Sequence, residues 1–234
     1  MNHTKTTPNN ILRSLYASIF TISLSIGTFG PLIPLYAQQL GASYFDLGII
    51  GVAWSTPYII TPAIIGALAD KVGRKPFFLL GMAGCAHISI LFLLAHQVWH
   101  ITAIRAFNGI AYSFLWPIAE ALVVDTTPPS ERTKAMGRYS FSWALGMLAG
   151  PFIGGLLLEN FGFTVLFSTS LAIGIPAFII ALYAMHFSYQ PKNQPTTNKT
   201  TTPSKDVAPT HLHHVYLIII MYSIVMSLIF SIFP

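Results

Sequence analysis

Few residues in this chain can do chemistry, and they stand out because the rest is apolar: 8% of its 234 residues are charged against 53% hydrophobic. Asp70, Arg74 and Lys75 stand together in Gly66-Ala67-Leu68-Ala69-Asp70-Lys71-Val72-Gly73-Arg74-Lys75, between two long apolar runs. Asp70 and Arg74 are four apart, so they pair on one face if a helix continues past Asp70, and a solvated pair of this kind is worth only about 0.3–0.5 kcal/mol. Its value lies in being made and released. A carboxylate at a helix end gains a use when the positive N-terminus of another helix faces it, because it then bridges two elements reversibly. Gly66 and Gly73 permit the tight turn that such a short connection needs. The plain alternative is a charged loop that only fixes topology.

Arg105 lies in Arg105-Ala106-Phe107-Asn108-Gly109, a few residues inside the end of the fourth apolar run expected to be extracellular, where a cation costs less than the roughly 2.5–3.5 kcal/mol it costs at the centre of a membrane helix. By default such a residue faces a functional cavity, and the alternative is snorkelling to the surface. Glu120 and Asp125 close the same run. Glu120 is the deeper of the two and the candidate proton carrier, a role open to a carboxyl withdrawn from water. Asp125 has Arg132 and Arg138 nearby in sequence, a set of charges that serves either a gate or topology alone. In Gly146-Met147-Leu148-Ala149-Gly150-Pro151-Phe152-Ile153-Gly154-Gly155, small residues four apart make a groove that lets a neighbouring backbone approach, and Pro151 bends the axis. His87 reads as a packed core histidine. Trp54, Trp116 and Trp143 read as packing or interfacial residues, compatible with an aromatic cavity lining for amphipathic cations.

These residues need helices that cross a membrane to position them. The mean hydropathy of +0.64 excludes an ordinary soluble domain. Seven apolar runs approach the ~20 residues needed to cross the hydrocarbon core: residues 12–37, 45–69, 76–95, 99–124, 139–158, 163–187 and 215–233. Apart from Arg105, every Lys and Arg falls at the N-terminus or in the even-numbered connections; the odd ones, 38–44, 96–98 and 159–162, carry none. Positive residues in short loops stay on the cytoplasmic side, so the N-terminus is expected inside and the C-terminus outside, the reverse of a heptahelical receptor. Residues 1–11 read as a cytoplasmic tail without signal-peptide character. Residues 188–214, rich in Pro, Thr, Asn and Lys, read as a disordered cytoplasmic linker, which puts the Asn198-Lys199-Thr200 sequon on the wrong side for glycosylation. His211, His213 and His214 belong to that polar loop in preference to a metal site.

Other chemistries find no support. There is no His-Glu-x-x-His, no Gly-x-Ser-x-Gly and no paired intramembrane aspartate, so an intramembrane enzyme is not expected. Cys85 is the single cysteine, which excludes an internal disulfide or a multi-cysteine metal site, and no cofactor is implied. The formal charge of +5 is spread over several loops instead of one face, which speaks against nucleic acid.

The pattern Gly-x-Leu-x-Asp-x-x-Gly-Arg-Lys at residues 66–75 resembles the helix 2 to helix 3 signature of the major facilitator superfamily of secondary transporters. Arg105-x-x-x-Gly109 resembles its fourth-helix signature, with Asn108 where Gln is usual, and the stretch from Asp125 to Arg138 resembles its second cytoplasmic gate. Gly146-x-x-x-Gly150-Pro151-x-x-Gly154-Gly155 resembles the motif of the proton antiporter, drug-exporting branch. The resemblance covers residues 12–187 and implies an all-α polytopic fold: a six-helix bundle at 12–187, the linker, and a seventh transmembrane helix at 215–234 that opens an incomplete C-terminal half. It implies alternating access, with Gly66, Asp70, Gly73, Arg74, Lys75, Asp125, Arg132 and Arg138 as the cytoplasmic gate. Arg105 takes a proton-coupling role alongside Glu120, and Gly146, Gly150, Pro151, Gly154 and Gly155 form a packing face. The implied partners are a small amphipathic substrate exported against protons, the lipid bilayer of the plasma membrane, and a missing C-terminal half or second copy. The other reading is a truncated or split half-transporter that acts as an assembly partner and carries nothing itself.

Overall fold

A computed structural model of the chain describes residues 8–186 and Met221. The chain divides into two units, Met1–Tyr189 and Gln190–Pro234, and the architecture below is that of the first. The expected linker and, apart from Met221, the expected seventh helix lie outside the described residues.

The punctuation between helices follows from a few residues. Helix α1 (Pro8–Phe29) passes through a single 3-10 turn, Gly30–Leu32, into α2 (Ile33–Gln39), where Pro31 and Pro34 lack the amides that would carry the α-helical ladder through. Gly41 turns the chain at φ +91°. Ser43 then caps α3 (Tyr44–Val72) in a reciprocal box: the Asp46 amide donates to Ser43 Oγ, and the Ser43 amide donates to the Asp46 carboxylate at 2.8 Å. Helix α4 (Arg74–Leu93) follows after Gly73 alone, whose φ of +101° strains any residue with a side chain. Helix α5 (Val98–Thr126) stops before Pro128 and Pro129, and a 3-10 turn at Pro129–Glu131 leads into α6 (Arg132–His186).

Among the described residues five stretches are long and apolar enough to cross a membrane, and the last, Pro129–His186, has 58 residues. A straight helix of that length would measure about 87 Å, nearly three times the ~30 Å hydrocarbon core. It is two limbs joined at Gly162, whose φ of 77° and ψ of −178° are not helical. Their packing on α1 shows that they run in opposite directions. Gly146, Gly150 and Gly154 meet Phe20, Gly27 and Thr28 in ascending order. On the second limb Phe163, Phe167 and Ser170 meet Tyr36, Phe29 and Ser25 in descending order. The described residues therefore make six crossings, as the apolar runs imply, with boundaries shifted. The fifth crossing starts at Arg132 instead of Tyr139, and the expected connection at 159–162 shrinks to one glycine.

Helix α1 lies at the centre of the bundle and α3 at its edge. Toward one end the core is built on Leu15, Ile19, Phe78, Leu122 and Tyr139; toward the other, on Phe29, Ile33, Phe92, Ile101 and Phe167. Between them Ser25, Ser89 and Ser170, all fully buried, join α1, α4 and the second limb of α6 by hydroxyl contacts of 3.0 Å; Ser25 Oγ also donates to the Ser170 carbonyl at 2.7 Å. Without a hydrophobic gradient between helices in lipid, such hydrogen bonds and close glycine contacts are what hold them together.

Candidate functional site

The three glycine positions on the first limb of α6 fix the scaffold. A Cβ at Gly150 would lie 2.5 Å from the Gly27 carbonyl carbon, one at Gly146 would lie 2.6 Å from the Phe20 carbonyl oxygen, and one at Gly154 would collide with the Thr28 carbonyl. Backbone meets backbone along this line, and nothing larger fits. Pro151 lies within the same limb. Gly155 points the other way: a Cβ there would meet nothing within 4 Å among the described residues, so it takes no part in the contact with α1.

At the end where α3, α5 and the start of α6 converge, Arg74 joins three helices. Its Nη1 donates to Asp125 Oδ2 at 2.7 Å and its Nη2 to Asp70 Oδ1 at 3.2 Å. The Asp70 and Arg74 pair does not lie on one continuous helix face; it closes across the Gly73 break. Since Arg74 is the first residue of α4, both carboxylates also sit at the positive end of that helix. The contacts are open to water, with the side chains of Arg74, Asp125 and Asp70 retaining 25%, 40% and 66% of their exposure. Lys75 is half-buried and Lys71 exposed. Gly66 takes no part in the turn; it lies within α3 with open space beside it. Arg132 and Arg138 are exposed and make no salt bridge among the described residues. What anchors this part of α6 is Tyr16, whose hydroxyl donates to the Ala135 carbonyl at 3.2 Å.

Arg105 occupies a different setting, seven residues into α5. Gly109, one turn further, lets α5 settle against the Trp54 carbonyl of α3, and this contact brings Arg105 over Trp54, its guanidinium carbon 5.1 Å from the ring centroid. Nη1 donates to Asn108 Oδ1 at 3.1 Å, and Asn108 is fully buried. A run of rings continues from there: Trp54 stacks on Tyr58 at 5.4 Å, Tyr112 stands edge-on to Trp54 and Tyr58, and Trp116 lies 6.0 Å from Tyr112. Pro62 has no amide for the Tyr58 carbonyl, and Ser113 Oγ makes a long contact of 3.5 Å to that oxygen. Glu120 ends the stripe. It is exposed on this unit and makes no salt bridge among the described residues. His87, expected in the core, is exposed, its Nδ1 2.8 Å from the Ala83 carbonyl.

Sequence reasoning missed the partnership of Trp54, Tyr58 and Tyr112 with Arg105. The signal is present in the spacing, since residues 105, 109, 112, 116 and 120 share one face of α5 and residues 54 and 58 one face of α3. The Ser43 and Asp46 capping box, with its Ser-x-x-Asp signature, was also legible. At the other end of the bundle a cavity of about 410 Å³ lies among Tyr36, Leu93, His96, Gly162, Phe163 and Phe167.

The model of the Major Facilitator Superfamily matches residues 15–234. The chain belongs to that superfamily. Among curated members of the superfamily, it is 30% identical over 183 residues to the quinolone resistance protein NorA of Staphylococcus aureus, covering 78% of this chain and 46% of NorA. It is 28% identical over 167 residues to the MFS-type transporter MJ1560 of Methanocaldococcus jannaschii, covering 71% and 43%. The chain thus spans about half the length of the curated relatives it matches. Two solved superfamily folds are similar at 18% identity: the human organic anion transporter MFSD10, with a TM-score of 0.62 over 77% of this chain and 48% of that one, and a bacterial homologue of the human lysosomal transporter Spinster, with 0.64 over 82% and 47%. At that identity they speak to the fold alone.

Proposed function

We propose that this chain supplies the N-terminal bundle of a proton-coupled exporter of small amphipathic molecules, working by alternating access in the plasma membrane with its N-terminus in the cytoplasm. The observation that carries this reading is Arg74 held between Asp70 and Asp125: one guanidinium fastens the ends of α3, α4 and α5 with contacts that water reaches. Such contacts add little stability and exchange easily, which suits a latch closed in one state and open in another. Lys75, Arg132 and Arg138 surround that end and give it the positive charge retained on the cytoplasmic side. The glycine face of α6 gives the rigid backing against which such a bundle rocks, and the drug-resistance name of NorA supports export of drug-like molecules. Glu120 is the proton carrier in this reading, its exposed carboxyl facing the path that the other half of such a transporter would complete.

The test is proton-driven accumulation of rhodamine B, an amphipathic dye, in inverted vesicles carrying the chain, the direction that corresponds to extrusion from a cell. Asp70→Asn is expected to cut extrusion at least tenfold while the variant inserts normally. Extrusion unchanged in that variant would remove the latch from the mechanism. Labelling that placed Lys71 and Lys134 on opposite sides of the bilayer would overturn the topology.

A further inference from the structure

His87 stands apart from both arginines. It lies on α4 near the middle of the apolar run 76–95, eleven residues from one end and eight from the other, and its side chain is exposed on this unit. Eight residues of helix span about 12 Å, too far for an imidazole to snorkel to the nearer surface. The ring is nevertheless held in one pose. Its Nδ1 is 2.8 Å from the Ala83 carbonyl one turn back, and it stands edge-on to Phe178 on the second limb of α6, with centroids 6.1 Å apart and planes at 78°. A carbonyl oxygen only accepts, so Nδ1 carries the proton, and in the neutral ring Nε2 is a bare lone pair. No described residue donates to it. Hydrocarbon offers no hydrogen bonds, so an acceptor at this depth stays unmet unless another molecule brings a donor.

The surrounding face limits what that molecule is. Leu80 and Leu91 on α4 and Ile175 and Leu182 on α6 are exposed and large. The small residues one turn back, Ala83 and Gly84, are half-buried, and a Cβ on Gly84 would lie 2.9 Å from that of Ala111 on α5. Close approach of a further helix in lipid depends on small residues, and this face presents branched ones instead. A second copy inserted the same way, related by an axis along the membrane normal, would bring its own His87 to this depth, lone pair against lone pair. A small molecule dissolved in the bilayer meets neither obstacle and has to supply only one O–H. We propose that the seam between α4 and the second limb of α6 binds a membrane-dissolved phenol or alcohol, whose hydroxyl donates to His87 Nε2 and whose apolar body lies against Phe178, Leu91 and Ile175. The site is separate from the Arg105 stripe and does not depend on the transporter reading.

The test compares 2-naphthol with 2-methoxynaphthalene, which share the fused ring and differ in the donor, by equilibrium dialysis against the purified full chain in lipid nanodiscs, with empty nanodiscs subtracted. The naphthol is expected to bind about three- to tenfold more tightly, the scale of one neutral hydrogen bond. His87→Leu should erase that ratio without lowering the midpoint of thermal unfolding. His87→Gln, whose amide oxygen accepts at a similar reach, should keep part of it. Equal affinities, no saturable naphthol binding, or a ratio intact in His87→Leu would each overturn the site. A dimer in detergent that His87→Leu dissociates would place a second copy on this face and overturn it as well. Because none of these readouts needs transport, rhodamine B accumulation without a naphthol preference counts against the site alone, whereas a naphthol preference without accumulation counts against the exporter alone.

Discussion

Arg74 and Arg105 are both guanidiniums on long apolar helices, yet their surroundings differ in every respect that matters. Arg74 has a carboxylate on each Nη group, in contacts of 2.7 and 3.2 Å that water also reaches. Arg105 sits over an indole, holds one amide oxygen, and leaves Nε without an acceptor. A satisfied, wetted pair contributes little to folding and exchanges partners at low cost. An unsatisfied, buried donor opposes folding, and a sequence keeps it only where something else supplies the missing oxygen. One end of the bundle is therefore built to let go, whereas Arg105, toward the other end of α5, keeps a donor that the described residues do not satisfy. The two arginines stand about 30 Å apart along α5 if Asp125 marks the first and Arg105 the second.

That contrast presupposes a common rigid backing, and breaking the backing should affect both places at once. Gly150→Val puts a branched side chain where a single Cβ already lies 2.5–2.7 Å from the Gly27 and Thr28 backbone. Backbone on both sides cannot yield as a side-chain tip would, so the expected loss is at least about 3 kcal/mol or failure to fold. Thermal unfolding followed by fluorescence-detected size exclusion would read it. A variant as stable as the parent would show that α1 and α6 are not held in register by this face. Gly155→Ala serves as the contrast, since that position has open space, and should shift the midpoint little.

The glycine face was legible in the sequence because helical spacing alone places residues 146, 150 and 154 on one side. Gly155, one residue on, shares the motif but not the face. The six crossings were legible for a similar reason, as apolar length is a direct physical requirement of the bilayer. What escaped was tertiary. Asp70 and Arg74 invited an intrahelical pair, yet Gly73 intervenes with φ +101°, so their contact is made across a joint and shared with Asp125, fifty-one residues from Arg74. Trp54 looked like packing, because nothing local reveals that Gly109 will bring Arg105 across its ring. Glu120 reads as deep by its place in a hydrophobic run; it shares a face of α5 with Arg105 and Gly109, which pack on α3, while its own side chain is exposed on this unit.

A second prediction sharpens the contrast through its sign. Arg105→Met keeps a long unbranched side chain and removes both the charge and the orphaned Nε. Although Asn108 Oδ1 loses its donor, the net change in folding stability should be a gain of about 1 kcal/mol, because an apolar replacement of an uncompensated buried ion is commonly neutral or stabilising. A loss of more than about 2 kcal/mol in a detergent denaturation series would mean that Arg105 is a structural residue and that its cation–π contact with Trp54 outweighs the unmet donor.

Asp125→Asn should have the smallest effect on stability and the opposite profile. It keeps the shape of the side chain and its ability to accept from Arg74, and removes the charge from a contact whose partners retain 40% and 25% of their exposure. Solvent screening holds the folding cost below about 1 kcal/mol. What changes is how firmly the turn between α3 and α4 is joined to the end of α5, which a cysteine pair replacing Val72, the last residue of α3, and Thr126, the last of α5, would report through its rate of cross-linking. In the parent that rate should respond to salt, since ions compete for exposed partners over the ~8–10 Å range of screening at ordinary ionic strength. In Asp125→Asn the response should flatten. If raising the salt leaves cross-linking unchanged in the parent, then Asp125 and Arg74 do not govern the joint, and the end of the bundle that looks releasable owes its position to the packed Ala69, Phe77 and Tyr139 beneath it.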